Sequence, residues 1–298
     1  MDTFSTAHFR DDTAARQYLE RLRWPDGPIC PRCGVVGHAY PTKRPGVYRC
    51  AEKACRADFT VTMNTVMERS HIALHKWLQA FHLMNSSKKG VSAHQLHRTL
   101  EITYRSAWFM AHRIREAMRD GGLAPFGGEG AIIEADETYY GRMETPKQPR
   151  AKRSKTANKR PIVSLVQRGG SVRSFHVASA DKDTVQTILK QNVDSSSRLY
   201  TDESPLYRGA KVLDHETVRH SANEYVRGTV HTNTIEGYFS IFKRGMRGIY
   251  QHCKEKHLHR YLAEYDFRYN HRTALGYNDP ERAALAIKSA TGKRLTYR

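Results

Sequence analysis

Three acids and four cysteines are the residues whose setting in this chain asks for chemistry. Asp136 lies in the run Ala131-Ile132-Ile133-Glu134-Ala135-Asp136-Glu137-Thr138-Tyr139-Tyr140, whose apolar content predicts a strand. An ionised group buried in such a strand costs several kcal/mol unless it is paired or metal-bound. Asp136 therefore needs a cation. Asp202 ends the predicted strand Arg198–Thr201, and strand termini commonly carry site residues in open sheets. Glu236 follows on a helix expected from about Thr234, where Asn233, Glu236, Ser240, Lys243 and Arg247 share one face through steps of three and four. The neighbouring Glu134, Glu137 and Glu203 read as surface charges. In-line cleavage of a phosphodiester uses one metal to activate the attacking oxygen and another to stabilise the leaving one, held about 4 Å apart by carboxylates. Mg²⁺ prefers oxygen ligands and keeps several waters, so three side chains suffice.

Cys30 and Cys33 are separated by two residues, Cys50 and Cys55 by four, and the two pairs by sixteen. These gaps suit two knuckles that aim four thiolates at one tetrahedral Zn²⁺ in a zinc ribbon. Two disulfides or four unlinked thiols are the alternatives, and the disulfides would need an oxidising compartment that nothing in the sequence supports. Four cysteines close the coordination sphere, so the zinc would be structural. The fifth, Cys253, stands near His252, His257 and His259 and reads as a lone packed or exposed thiol.

The elements around these residues form a coherent frame. With 298 residues, 39% hydrophobic and 27% charged, the chain is expected to fold as two or three soluble domains. No apolar run approaches the roughly 18 residues that span a bilayer, and the first thirty residues lack the apolar core of a signal peptide. Lys and Arg outnumber Asp and Glu by 49 to 30, a net charge of +19, which points to nucleic acid as a polyanionic partner. The predicted organisation is a helix plus zinc ribbon over 1–68, a helical domain over 69–120 and an α/β domain with a mixed sheet over 121–298. Glycine and proline density marks 121–128 as the linker. Within the helical domain, Ser92–Leu100 and the helix after Thr103 fit a helix-turn-helix. Its second helix would present Tyr104, Arg105 and Ser106 to DNA; an ordinary helical hairpin with Trp108, Phe109 and Ile114 in its core is the other reading. The α/β domain reads as three strands, helix, strand, a short connection, strand, helix, the order of an RNase H-like fold. Its basic insertion at 142–160, with Arg150, Lys152, Arg153 and Lys155, reads as a phosphate-gripping loop.

Taken jointly, Asp136-Glu137-Thr138-Tyr139, Tyr200-Thr201-Asp202-Glu203, His231-Thr232-Asn233-Thr234-Ile235-Glu236-Gly237 and Lys243-Arg244-Gly245 resemble the DDE transposases of bacterial insertion sequences. The chain is more narrowly similar to the branch with an N-terminal zinc ribbon, and Tyr261–Asn270 also matches that branch. The resemblance runs from Cys30 to about Arg272. It implies an RNase H-like catalytic domain with Asp136, Asp202 and Glu236 as catalytic triad and two Mg²⁺ or Mn²⁺ ions as cofactors. Members of this branch can carry Asn at the third position, which makes Asn233 the alternative ligand. It further implies that Lys243, with Arg244 and Arg247 beside it, contacts element-end DNA. Water would attack at the element end to free a 3′-hydroxyl, which would then attack target DNA, with Asp136 bridging both ions, Asp202 holding one and Glu236 the other. The implied partners are double-stranded DNA, as element ends and target, and further copies of the chain on that DNA, in a cytoplasmic, nucleoid-associated setting without membrane. A metal-dependent nuclease on the same scaffold and a domesticated, non-catalytic DNA-binding protein are the competing readings.

Overall fold

The computed structural model describes residues 4–121, 124–144, 156 and 158–296. It divides into two compact units, Met1–Met118 with Asn278–Arg298, and Arg119–Tyr277. In the first unit, α1 (Asp12–Arg23) is capped by Asp11, whose side chain accepts from the Ala14 amide, and buries Ala15 and Leu19. Three short strands follow, β1 (Ala39–Pro41), β2 (Tyr48–Cys50) and β3 (Asp58–Phe59), paired antiparallel in that order. Strands of two and three residues bury too little to hold themselves. The ribbon's apolar support is Trp24, which meets Tyr48 and Phe59 edge-on.

The helices of this unit are α2 (Leu74–Ser86), α3 (Ala93–Leu100) and α4 (Tyr104–Met118), joined by α8 (Asp279–Lys288) near the C-terminus. Trp77, Leu78, Phe81 and Met84 of α2 are buried, as are Leu96, Leu100 and Ile114. Ser92 caps α3 through the Gln95 amide, and Thr103 Oγ1 accepts from the Ser106 amide at the start of α4. Glu101 makes the tight turn between the two helices in the left-handed region, φ 51°. Residues 278–298, assigned from sequence to the α/β domain, group with this unit because α8 lies against α2. Asn278 and Glu281 form a reciprocal cap on α8, and Arg282 donates to the carbonyl of Asn85 at 2.8 Å.

The second unit is built on one five-stranded sheet. Its strands are β4 (Ile132–Arg142), β5 (Lys159–Gln167), β6 (Val172–His176), β7 (Arg198–Thr201) and β8 (Asp214–Thr217), in the spatial order β6-β5-β4-β7-β8. The first three are antiparallel hairpin neighbours, while β7 and β8 add parallel to β4. Alternation along β4 and β5 assigns the two faces. Ile133, Ala135, Val163 and Leu165 meet α5 (Lys182–Asn192), whereas Ile162 and Val166 meet α6 (Asn233–Gly245) and α7 (Leu258–Asn270). This mixed sheet with helices on both faces is an RNase H-like α/β domain. Sequence patterning did not reveal the small hairpin β9 (Val226–Arg227) and β10 (Val230–His231), or the π-turn Met246–Tyr250 that continues α6. In α7, Glu264 and Arg268 are buried as a pair, and the Tyr250 hydroxyl also donates to Glu264. Arg268→Met removes the guanidinium from a buried carboxylate, so a loss of about 3–5 kcal/mol is expected. A lowered urea midpoint at unchanged slope checks it.

Candidate active site

The sheet brings two of the three acids to adjacent parallel strands. Asp136 lies in β4, and Asp202 follows the last residue of β7, the parallel neighbour of β4. Both are half-buried. Asp202 is fixed by a turn in which its Oδ1 accepts from the Ser204 amide at 3.0 Å. Glu236 lies in the first turn of α6, exposed, and its Oε1 accepts from the Thr232 hydroxyl at 2.8 Å.

Their electrostatics belong to one cluster. Burial, followed by the charges of Glu137, Asp202 and Glu236, pushes the Asp136 carboxyl well above the ordinary carboxylate value, despite an opposing hydrogen bond from the Glu137 amide. Asp202 is also raised, first by burial and then by Glu203, against the Ser204 amide and His220. Like-charged carboxylate oxygens are the hard donors that divalent cations take, although among the described residues these three acids are not drawn together as tightly as the cysteine sulfurs. Lys243 is a side-chain cation near Asp136. It lies half-buried over the Phe239 ring, its pKa lowered by burial and by Arg247 and Lys159 while Asp136 pulls the other way. Arg244 and Arg247 are exposed beyond it, and Asn233 is exposed at the first position of α6. The polar face expected of α6 is therefore its outward one, while Ile235, Tyr238, Phe239 and Phe242 are buried beneath it.

Three acids read as surface charges have other positions. Glu134 is fully buried, because it alternates with Asp136 onto the α6 face of β4, and it bonds Arg168 and the start of α6. Glu137 points to the opposite face, where it accepts from the Tyr207 hydroxyl at 2.7 Å, and burial raises its pKa. Glu203 accepts the amides of His220 at 2.6 Å and Ser221 at 3.0 Å, which ties the loop after β8 back to the end of β7. That loop supplies His220, which the sequence reading missed. Its Nε2 lies 3.8 Å from Glu236 Oε1, and its ring is tilted against the exposed Tyr225. No local spacing marks His220, because it reaches the acids only through this loop closure.

In the other unit, the four cysteine sulfurs lie within 4.8 Å of one another. Cys30 and Cys55 are 3.8 Å apart and Cys33 and Cys50 3.6 Å. Sulfurs on a tetrahedron of ~2.3 Å Zn–S bonds would be ~3.8 Å apart, so the quartet fits a structural Zn²⁺. Burial would raise the Cys30 thiol, but the backbone N–H groups of Cys33 and Arg32, together with the Cys33 and Cys55 side chains, outweigh it and bring it to about 7. Among the described residues, this is the one group of three or more His, Cys, Asp or Glu side chains gathered so tightly. Cys253 packs against the α6–α7 core.

Tyr104 and Arg105 are exposed at the start of α4, Ser106 is half-buried, and Tyr104 stacks on His94 with ring centroids 4.3 Å apart. Arg150, Lys152, Arg153 and Lys155 lie outside the described residues. No helix among the described residues is long and apolar enough to cross a membrane.

Comparison with known proteins agrees with both units. Residues 128–270 match the model of the ISXO2-like transposase domain, and residues 10–58 match the transposase zinc-ribbon domain. A relative described as an uncharacterized protein in transposable element ISH50, from Halobacterium salinarum, is 28% identical over 258 residues, covering 79% of this chain and 83% of the relative. With a transposase zinc ribbon ahead of an ISXO2-like domain, the chain belongs to the insertion-sequence transposases of this kind.

Proposed function

We propose that this transposase is a DDE enzyme that cleaves insertion-sequence ends and joins their 3′-hydroxyls to target DNA, with Asp136, Asp202 and Glu236 as its carboxylates. The observation that carries this reading is that β4 and its parallel neighbour β7 bring Asp136 and Asp202 to adjacent strand positions, with Glu236 among the charges that, after burial, Glu137 and Asp202, raise the Asp136 carboxyl. Two Mg²⁺ or Mn²⁺ ions, when bound, supply activation of the attacking oxygen and stabilisation of the leaving one. Asp136, on the central strand β4, would hold them together with Asp202 and Glu236. Asn233 and Glu236 occupy the same turn of α6, and the hydroxyl of Thr232 orients Glu236 rather than Asn233, which favours Glu236 as third ligand. Lys243, Arg244 and Arg247 face outward along α6 and its π-turn, where they would hold DNA phosphates.

The helix pair α3–α4 is assigned to end recognition as a helix-turn-helix, with Tyr104, Arg105 and Ser106 at the DNA. The ribbon would contribute indirectly to DNA or partner binding, and the basic 142–160 segment would grip phosphates. Because two ends must meet, the working form is a homo-oligomer on double-stranded DNA, and the protein would act at the nucleoid. The test is cleavage of labelled element-end DNA in Mg²⁺ or Mn²⁺ by wild type, Asp202→Ala, Glu236→Ala and Asn233→Ala. Loss in the first two variants with retention in Asn233→Ala is expected. Full cleavage by Glu236→Ala beside an inactive Asn233→Ala would transfer the third position to Asn233.

A further inference from the structure

Helix α6 has no cap of its own. Thr232 stands at its N-cap position, yet its side chain makes no capping hydrogen bond. The amides that an N-cap side chain normally satisfies, at the second and third helical positions, belong to Thr234 and Ile235. Both donate instead to Glu134 Oε2, at 2.9 and 3.0 Å. Glu134 Oε1 accepts from the Thr234 hydroxyl at 2.8 Å and from Arg168 Nε at 2.6 Å. This carboxylate is fully buried and comes from β4, two residues before Asp136. Its negative charge at the positive end of the helix is also favourable. Because Glu134 takes the amides, the Thr232 hydroxyl is left to hold Glu236 Oε1.

Arg168 extends the same anchor. Its guanidinium donates to the carbonyls of Thr229 at 2.7 Å and His231 at 2.9 Å, on the segment that leads into α6. It also covers the ring of Tyr200, 5.0 Å from the centroid, two residues before Asp202 on β7. One ion pair, its carboxylate fully buried and its guanidinium half-buried, thus touches β4, β7 and the start of α6, the elements that carry or lead into Asp136, Asp202 and Glu236.

We propose that Glu134 caps α6 from the neighbouring strand and, with Arg168, acts as the positioning pair that sets Glu236 and Asp202 relative to Asp136. Neither residue touches DNA or the reacting atoms in this assignment, which rests on the carboxylate reading above. A fully buried carboxylate is costly, and an apolar contact would serve bare stability as well. What the pair adds is directional hydrogen bonding that fixes the helix start against the strand.

The test compares wild type with Glu134→Gln and Arg168→Lys in the full-length zinc-loaded protein, with Asp136→Ala as control. Glu134→Gln keeps the shape but loses the charge and half of the acceptor capacity, while Arg168→Lys keeps the charge but loses the fork. Three quantities are read: affinity for element-end DNA, single-turnover cleavage at saturating DNA, and the Mn²⁺ concentration at half of the metal-induced rise in Tm without DNA. End affinity within about twofold of wild type, cleavage slowed roughly 10- to 100-fold and a higher Mn²⁺ midpoint are expected, since small misplacements in a site cost rates of that order. Adding Thr232→Val to Glu134→Gln should slow cleavage by much less than it does in wild type, because the hydroxyl orients Glu236 only on an anchored helix. Wild-type cleavage and an unchanged Mn²⁺ midpoint in a folded Glu134→Gln protein would overturn the proposal. Should that variant not fold, the same result in Arg168→Lys would do so. With Asp136→Ala inactive, such an outcome sinks the positioning role alone; cleavage by Asp136→Ala would instead sink the carboxylate reading.

Discussion

Asp136→Asn is expected to abolish end cleavage and, in the metal-free protein, to raise the melting temperature. The first effect follows from the proposed role of Asp136 as a metal ligand. Metal stabilisation of the transition-state charge is worth several kcal/mol, so cleavage should fall by at least ~10³-fold. The second follows from the charge cluster. The native Asp136 carboxyl titrates well above the ordinary value of 3.8, through burial and then Glu137, Asp202 and Glu236. The folded protein therefore holds that proton more tightly than the unfolded chain. The associated stability is present below the ordinary value and is lost as pH rises from 3.8 through the raised native value. Asparagine removes the charge and with it this loss. A Tm gain of a few degrees is expected at neutral pH, at about 2–4 °C per kcal/mol for a chain of this size, and the gain should shrink as pH is lowered towards 4. Mn²⁺ should raise the Tm of wild type, by about 2.7 kcal/mol of stability at a hundredfold excess over Kd, and have little effect on the variant. Scanning calorimetry across pH, with and without Mn²⁺, checks all of this. A variant less stable than wild type at pH 7 would contradict the electrostatic account.

Zinc removal is the second large effect. The ribbon has three strands of two or three residues, and its core beyond the sulfurs is little more than Trp24, Tyr48 and Phe59. Structural zinc in such modules contributes about 10–16 kcal/mol of apparent binding free energy, far more than this core could replace. Cys30→Ser with Cys50→Ser, or strong chelation, should release one zinc per chain and expose the backbone amides of 39–59 to hydrogen exchange. End-DNA binding should drop with it if the ribbon serves DNA binding as proposed. Protection in the sheet of the second unit should persist, because its core is formed by its own strands and helices. Unchanged exchange in the ribbon after verified zinc loss would refute a structural role for the metal.

Much of this was legible in the sequence because it is local or periodic. The cysteine knuckles announce themselves by gaps of two and four, and their sulfurs do gather. The mixed sheet could be read from apolar runs alternating with helical ones, and its order places Asp136 and Asp202 on neighbouring strands. Glu134 shows where the reading stopped short. The burial argument applied to Asp136 holds equally for an acid between Ile133 and Ala135, both fully buried. What hid it was its partner set: Arg168 beyond the end of β5, and backbone amides of α6 a hundred residues away. His220 was hidden likewise, since only the Glu203 bonds to the loop amides bring it to Glu236. The placement of α8 on α2 is a long-range packing choice that no amphipathic pattern specifies.

In the proposed reaction a 3′-hydroxyl at the element end is the nucleophile at target DNA. Purified protein is given pre-cut end duplexes carrying either a 3′-hydroxyl or a 3′-deoxy terminus, a supercoiled target and Mg²⁺. Joined end–target products are expected from the 3′-hydroxyl duplex alone, and none with Asp136→Asn. Nicked target without joining, equal for both duplexes, would contradict it and leave a metal-dependent nuclease.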